Sequence, residues 1–169
     1  MKMFEKTVIA ASVMVFVTAG VAYAQTPSRL NQFEAWGAYS YKSPKNTICY
    51  VLSVPLKALP TTVNHGDNFF LVTKRSHSPI SFEPQFMAGY TLQEGSRVTV
   101  TIGGKDFDFF TKDSSAWLAS SELEKQLVSA MRAGSNMTVK AISKRGTHTT
   151  YTYSLKGVTA ALNAAQKCH

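Results

Sequence analysis

The stretch Ser96-Arg-Val-Thr-Val-Thr-Ile-Gly-Gly-Lys-Asp-Phe-Asp-Phe-Phe110 constrains the fold more than any other part of the chain. Val98, Val100 and Ile102 alternate with polar residues, and so do Phe107 and Phe109. A period of two belongs to a strand with one buried face. Gly103-Gly104 supplies a two-residue turn of the primed type, so the expected unit is an antiparallel hairpin. Pairing Ile102 with Lys105 sets Val100 opposite Phe107 and Val98 opposite Phe109. Every large apolar residue except Phe110 then shares a face, and Asp106 and Asp108 fall on the other beside Thr101 and Thr99. Two carboxylates two apart on a strand can hold a cation, but with threonines beside them and no third acid they read as a solvated face.

The same test resolves a segment that resembles a catalytic cluster. Lys140–Gly157 concentrates Ser143, Lys144, Arg145, His148, Tyr151 and Tyr153. A two-residue turn at Arg145-Gly146 would scramble the apolar faces. A three-residue loop, Lys144-Arg145-Gly146, instead pairs Ser143 with Thr147, Val139 with Tyr151 and Met137 with Tyr153. Gly146 stands where such a loop requires a left-handed residue. Ser143 then faces inward, while Lys140 and His148 face outward. A Ser–Lys dyad needs both side chains to converge on a shielded point, and adjacent strand-end residues point apart. The segment is expected to be a hairpin whose outer side and tip carry Lys140, Lys144 and Arg145, with no catalytic role.

Further strands are expected over 34–41 and 47–54, joined by the turn at 42–46, and over 68–74 and 85–92. Segments 55–67 and 75–84 read as loops. Ser121 with Glu124 forms a capping box. Leu123, Leu127 and Met131 follow at four-residue spacing, and Gly134 stops this helix. A second helix follows Thr159 and ends near Gln166. The expected fold is mainly β: an antiparallel β-sandwich of about seven or eight strands with two short helices.

The N-terminus places this domain outside the cytoplasm. Lys2 and Lys6 precede an apolar run from about Val8 to Val17, and Ala22-Tyr23-Ala24 is a small-x-small cleavage triplet. The run is shorter than the ~20 residues that span a bilayer, so residues 1–24 are expected to be a signal peptide cut after Ala24. Residues 25–169 are expected to form a single domain, with no second hydrophobic segment long enough to span. Its charge is (18 − 2) − (10 − 1) = +7, the signal removing two lysines and one glutamate. That balance favours anionic surfaces, although the basic residues are spread along the chain. Cys49 and Cys168 are the only cysteines. In an oxidising compartment an even count suggests a disulfide. A metal site wants more ligands, and a redox pair is normally CxxC.

No metal spacing joins His65, His77, His148 and His169, and no nucleophile elbow or phosphate-binding loop occurs. No cofactor is expected. His65 and His77 lie in loops and read as solvated. Phe69, Phe70, Phe82, Phe86 and Tyr90 are candidate stacking platforms for nucleic acid, but a sandwich needs large inward residues on every strand, and most read as core. No specific nucleic-acid partner is expected.

From Cys49 to Cys168 the chain resembles the invasion-associated locus B family, most closely its short exported members. The matching pieces include WGAY at Trp36–Tyr39, CYVLS at Cys49–Ser53, FLVTKR at Phe70–Arg75 and GYTLQEGSRVTVTI at Gly89–Ile102. They continue with FTKDSSAWL at Phe110–Leu118, LVSAMRAGSNMTVKAIS at Leu127–Ser143 and RGTHTTYTYSLKGVTAAL at Arg145–Leu162. The resemblance implies an exported, mainly β protein of Gram-negative bacteria, in a family linked to entry into host cells. It implies no catalytic residue and no cofactor. The expected function is a noncatalytic, periplasmic or secreted binding protein whose partner is an anionic envelope or host-cell-surface component, met through Lys140, Lys144 and Arg145. The alternatives are an envelope housekeeping or assembly factor, and a periplasmic enzyme whose residues converge from distant loops.

Overall fold

The structure, a computed structural model, describes residues 26–75 and 81–169. The expected signal peptide, its cleavage point at Ala24 and His77 lie outside those residues. Along the chain come β1 (Ser28–Phe33), β2 (Trp36–Lys42), β3 (Thr47–Ser53), β4 (Lys57–Leu59), β5 (Phe69–Arg75), β6 (Ser81–Met87), β7 (Arg97–Ile102), β8 (Lys105–Lys112) and β9 (Ser115–Trp117). They are followed by α1 (Ser121–Ala133), β10 (Asn136–Ile142), β11 (His148–Ser154) and α2 (Val158–Lys167).

Both hairpins take the expected register. Ile102 pairs with Lys105, Val100 with Phe107 and Val98 with Phe109. Met137 pairs with Tyr153 and Val139 with Tyr151. Thr101 and Thr99 donate their hydroxyls to Asp106 and Asp108 at 2.6 and 2.9 Å, which places both acids on the outer, exposed face.

The strands do not form a seven- or eight-stranded sandwich. Among the described residues, eleven strands make one antiparallel sheet in the order β1-β2-β3-β5-β6-β9-β8-β7-β10-β11-β4. The three-residue strand β9 makes it continuous by bridging β6 to β8, and the equally short β4 adds an edge beside β11. A twisted sheet of this width curls rather than lying open. Trp36 of β2 donates its indole N–H to the carbonyl of Ser154 on β11 at 2.9 Å. The Phe70 ring of β5 lies 6.0 Å from Tyr153 of β11 and 6.1 Å from Phe109 of β8. Strands from opposite parts of the sheet order therefore meet across one core, in which Trp36, Val51, Phe70, Phe86, Phe109, Val139, Tyr151 and Tyr153 are fully buried.

Both helices close this core. In α1 the N-cap is Ser120, not Ser121: its hydroxyl accepts the N–H of Leu123. Glu124 consequently takes no part in a capping box. It is buried, and its two oxygens accept from the Arg75 guanidinium at 2.8 and 3.1 Å, while Arg75 also pairs with Glu83. Burial pushes the Glu124 carboxyl above its usual range, and the attraction of Arg75 only partly offsets it. Leu123 is exposed, and the apolar face of α1 is instead Leu127, Val128 and Met131. The end of α2 is tied to β3 by a disulfide between Cys49 and Cys168, and Lys74 donates to the Cys168 carbonyl at 2.7 Å.

Candidate functional site

Three segments far apart in sequence meet at one end of the curled sheet: the loop through Asn64-His65, the Tyr90-Thr91 connection after β6, and the turn between β10 and β11. Together they enclose a cleft of about 310 Å³. The turn is the three-residue loop read from the sequence. Gly146 has φ +80°, its N–H reaches the Ser143 carbonyl at 2.8 Å, and the Ser143 hydroxyl accepts the N–H of Thr147 at 3.1 Å. The backbone of this turn is not free. Lys144 N–H donates to the Thr91 carbonyl at 2.8 Å, and Gln93 N–H donates to the Ile142 carbonyl at 2.9 Å. The Lys144 and Arg145 side chains are nevertheless exposed, and both line the cleft.

The opposite wall is held by a close crossing of two loops. A Cβ built on Gly89 would lie 2.5 Å from the His65 carbonyl oxygen, and one on Gly66 would lie 2.6 Å from the Gly89 carbonyl oxygen. Only glycine allows the backbones to approach so closely. Buried Asn68 fastens the crossing. Its amide donates to the carbonyls of His65 and Gly66 at 2.9 and 3.1 Å, and its oxygen accepts from Gly89 N–H at 3.3 Å.

His65 is therefore not the solvated loop residue its sequence position suggests. Its Nδ1 lies 2.9 Å from the Tyr151 hydroxyl and its Nε2 lies 2.9 Å from the Pro60 carbonyl oxygen. From Tyr151 the contacts continue to the Tyr90 hydroxyl at 3.0 Å, from Tyr90 to Thr149 Oγ1 at 2.6 Å, and from Thr149 to the Ala141 carbonyl at 3.2 Å. Burial, and then the hydrogen bond to Tyr90, push the Tyr151 phenol far above its ordinary range, so it keeps its proton at neutral pH.

The chain matches the invasion associated locus B (IalB) protein family over residues 36–166. It belongs to that family. Among solved structures it is similar to invasion associated protein B from Bartonella henselae, with a TM-score of 0.57 at 12% identity, covering 80% of this chain and 94% of that one. At that identity the likeness is one of fold. No curated protein matches the chain.

The structure divides the residues expected to form the basic surface of this IalB-family chain. Lys144 and Arg145 meet at the cleft, whereas Lys140 lies on the outer face of β10, opposite Thr150 and beside Thr99. His148 and His169 are exposed and lie away from the cleft lining. Among the described residues no group of three or more His, Cys, Asp or Glu is placed to hold a metal, and no helix is long and apolar enough to cross a membrane. Phe70 and Phe86 are core, Phe82 packs against the core, and Tyr90 contributes its hydroxyl to the cleft. Sequence reasoning missed His65, Tyr90, Thr147 and Thr149 as cleft residues. The only local signal for any of them was the turn-forming run Asn64-His65-Gly66-Asp67-Asn68, which marks a loop but not what the loop touches.

Proposed function

We propose that this IalB-family chain is an exported, noncatalytic binding protein that engages an anionic component of the bacterial envelope or of a host-cell surface through the cationic end of the β10–β11 hairpin. The observation that carries this reading is an unpaired pair of cations. Among the described residues the salt bridges belong to Arg75, and neither Lys144 nor Arg145 has a carboxylate partner. The cleft they border has no acidic side chain in its lining. Cations exposed on a fixed turn and free of internal partners are available to an external anion. A Cys49–Cys168 disulfide suits an oxidising compartment.

The test is adhesion across a salt series. Wild type and the triple variant Lys140→Glu, Lys144→Glu, Arg145→Glu are compared on bacterial envelopes and host-cell surfaces. Wild-type binding should weaken as the Debye length falls from about 10 Å at 0.1 M to about 3 Å at 1 M salt. The variant should fold normally and bind less at low salt. Equal binding by both proteins at every salt concentration refutes the reading.

A further inference from the structure

The cleft carries more information than the charge of its rim. Its walls are rich in hydroxyls, and two of them have unused donors. Ser143 accepts from Thr147 N–H but donates to no described partner, and Thr147 Oγ1 makes no hydrogen bond among the described residues. Tyr90 adds an aromatic edge, and Lys144 and Arg145 supply positive charge. Hydroxyl donors, an aromatic wall and paired cations suit a polyhydroxylated molecule with one acidic group. The volume of about 310 Å³ is at the small end of ligand clefts, enough for about one sugar ring.

The floor of the cleft adds a second property, found by counting protons. A hydroxyl has one proton to donate, and a carbonyl has none. Thr149 donates to the Ala141 carbonyl, so it accepts from Tyr90. Tyr90 has then used its proton and accepts from Tyr151. Tyr151 in turn accepts from His65 Nδ1–H, while His65 Nε2–H donates to the Pro60 carbonyl. Every contact is made only when both ring nitrogens of His65 carry protons, which is the imidazolium. A neutral His65 keeps its Nε2–H on Pro60 and accepts from Tyr151 at Nδ1. The chain then runs the other way, Thr149 gives its proton to Tyr90, and the Ala141 carbonyl loses that donor.

We propose that this cleft binds a sugar unit bearing a carboxylate or a phosphate, its acid group held by Lys144 and Arg145, and that binding is linked to protonation of His65. This rests on reading the hairpin end as anion-binding and adds the ligand class and the linkage. The titratable and charged groups around His65 are Asp67, exposed two residues on in its own loop, Tyr151 of β11, Tyr90 of the connection after β6, and Lys144 and Arg145 of the β10–β11 turn. Glu94 and Asp113 line a neighbouring hollow that Thr91 and Lys144 also border. A bound anion attracts the positive charge of a doubly protonated His65, so ligand and proton favour each other's binding. Affinity therefore falls as pH rises.

Calorimetric titration of the disulfide-bonded chain decides the matter, with D-glucuronate, glucose 6-phosphate, D-glucose and inorganic phosphate as probes. Glucuronate carries the pH comparison, between about pH 5.5 and about pH 8, because its own charge is constant there while histidine titrates. Both acidic sugars should bind, with glucose and inorganic phosphate at least about tenfold weaker, and glucuronate should bind about tenfold more tightly at the lower pH. Lys144→Gln with Arg145→Gln should abolish binding, and His65→Gln should remove the pH dependence. If His65→Gln melts early, the wild-type pH series still decides the linkage. Equal binding of glucose overturns the anion requirement, and equal binding of inorganic phosphate overturns the sugar. Affinity for glucuronate that does not change with pH overturns the role of His65. If no probe binds while salt-sensitive adhesion to cells persists, the cleft assignment falls and the surface-binding reading stands.

Discussion

Replacing Gly66 by alanine tests whether the loop crossing behind the cleft is rigid, and Gly146→Ala is its internal reference. Both glycines are left-handed, with φ of +59° and +80°. An L side chain in that region costs about 1–2 kcal/mol at either position. The surroundings differ. A Cβ on Gly146 meets nothing within 4 Å, whereas one on Gly66 lies 2.6 Å from the Gly89 carbonyl oxygen and 3.0 Å from Gly89 Cα. Those atoms are backbone, and they are held by Asn68, so no side chain can rotate away. Forcing the crossing apart adds about 1–3 kcal/mol, the usual cost of overpacking. Gly146→Ala should therefore lose about 1–2 kcal/mol, and Gly66→Ala about 2–5 kcal/mol, the sum of both costs. Urea denaturation of the two variants and wild type, followed by tryptophan fluorescence, gives the comparison. Equal losses would show that the Gly66–Gly89 crossing yields freely, and the account of how His65 is positioned would fail with it.

Unreduced mass spectrometry of the freshly isolated chain should find no free thiol. Opening the Cys49–Cys168 bridge, with its sequence separation of 119, should cost about 5 kcal/mol on the chain-entropy scale; two alkylatable thiols in fresh protein would end this prediction. For Glu124, the raised folded-state range means that the folded chain holds a proton that the unfolded chain has released. Wild-type stability should accordingly fall relative to Glu124→Gln as pH rises from the ordinary glutamate range into that higher range, and urea midpoints for both proteins across that window check the sign. A relative rise would show that attraction to Arg75, rather than burial, dominates.

The two hairpins were legible because their alternation runs long enough to fix both the face and the register, and a one-residue slip would have turned Phe107 and Tyr151 outward. The sandwich was wrong because β9, which joins the two runs of the sheet, and the edge strand β4 carry almost no pattern. Three residues, as in Lys57–Leu59 or Ser115–Trp117, cannot display a period. Segment 75–84 reads as a loop, yet β6 begins at Ser81 and Pro84 stands opposite Val72 of β5; β9 pairs only with Gln85–Met87, so Pro84 has no partner on β9. The capping-box pattern singles out Ser121 because Glu124 stands three residues on, but Glu124 is taken by Arg75 and Ser120 caps instead. Half of the cleft was visible: Lys144 and Arg145 were placed on the right turn. The other half depends on loops meeting across the fold, through Asn68 and two glycines, and no local pattern encodes that meeting.

The bond between β3 and the end of α2 also sets how the molecule would carry a load. Tension applied between the chain's two ends enters through β1 and β2 and reaches Cys49, then crosses directly to Cys168. The chain between the cysteines is bypassed. Stretching can peel β1 from β2 and β2 from β3, but the strands from β5 to β11 stay outside the line of force. A copy pulled by its two ends would lengthen by its N-terminal strands alone. The cleft, which lies wholly within the shielded loop, would keep its shape under pull.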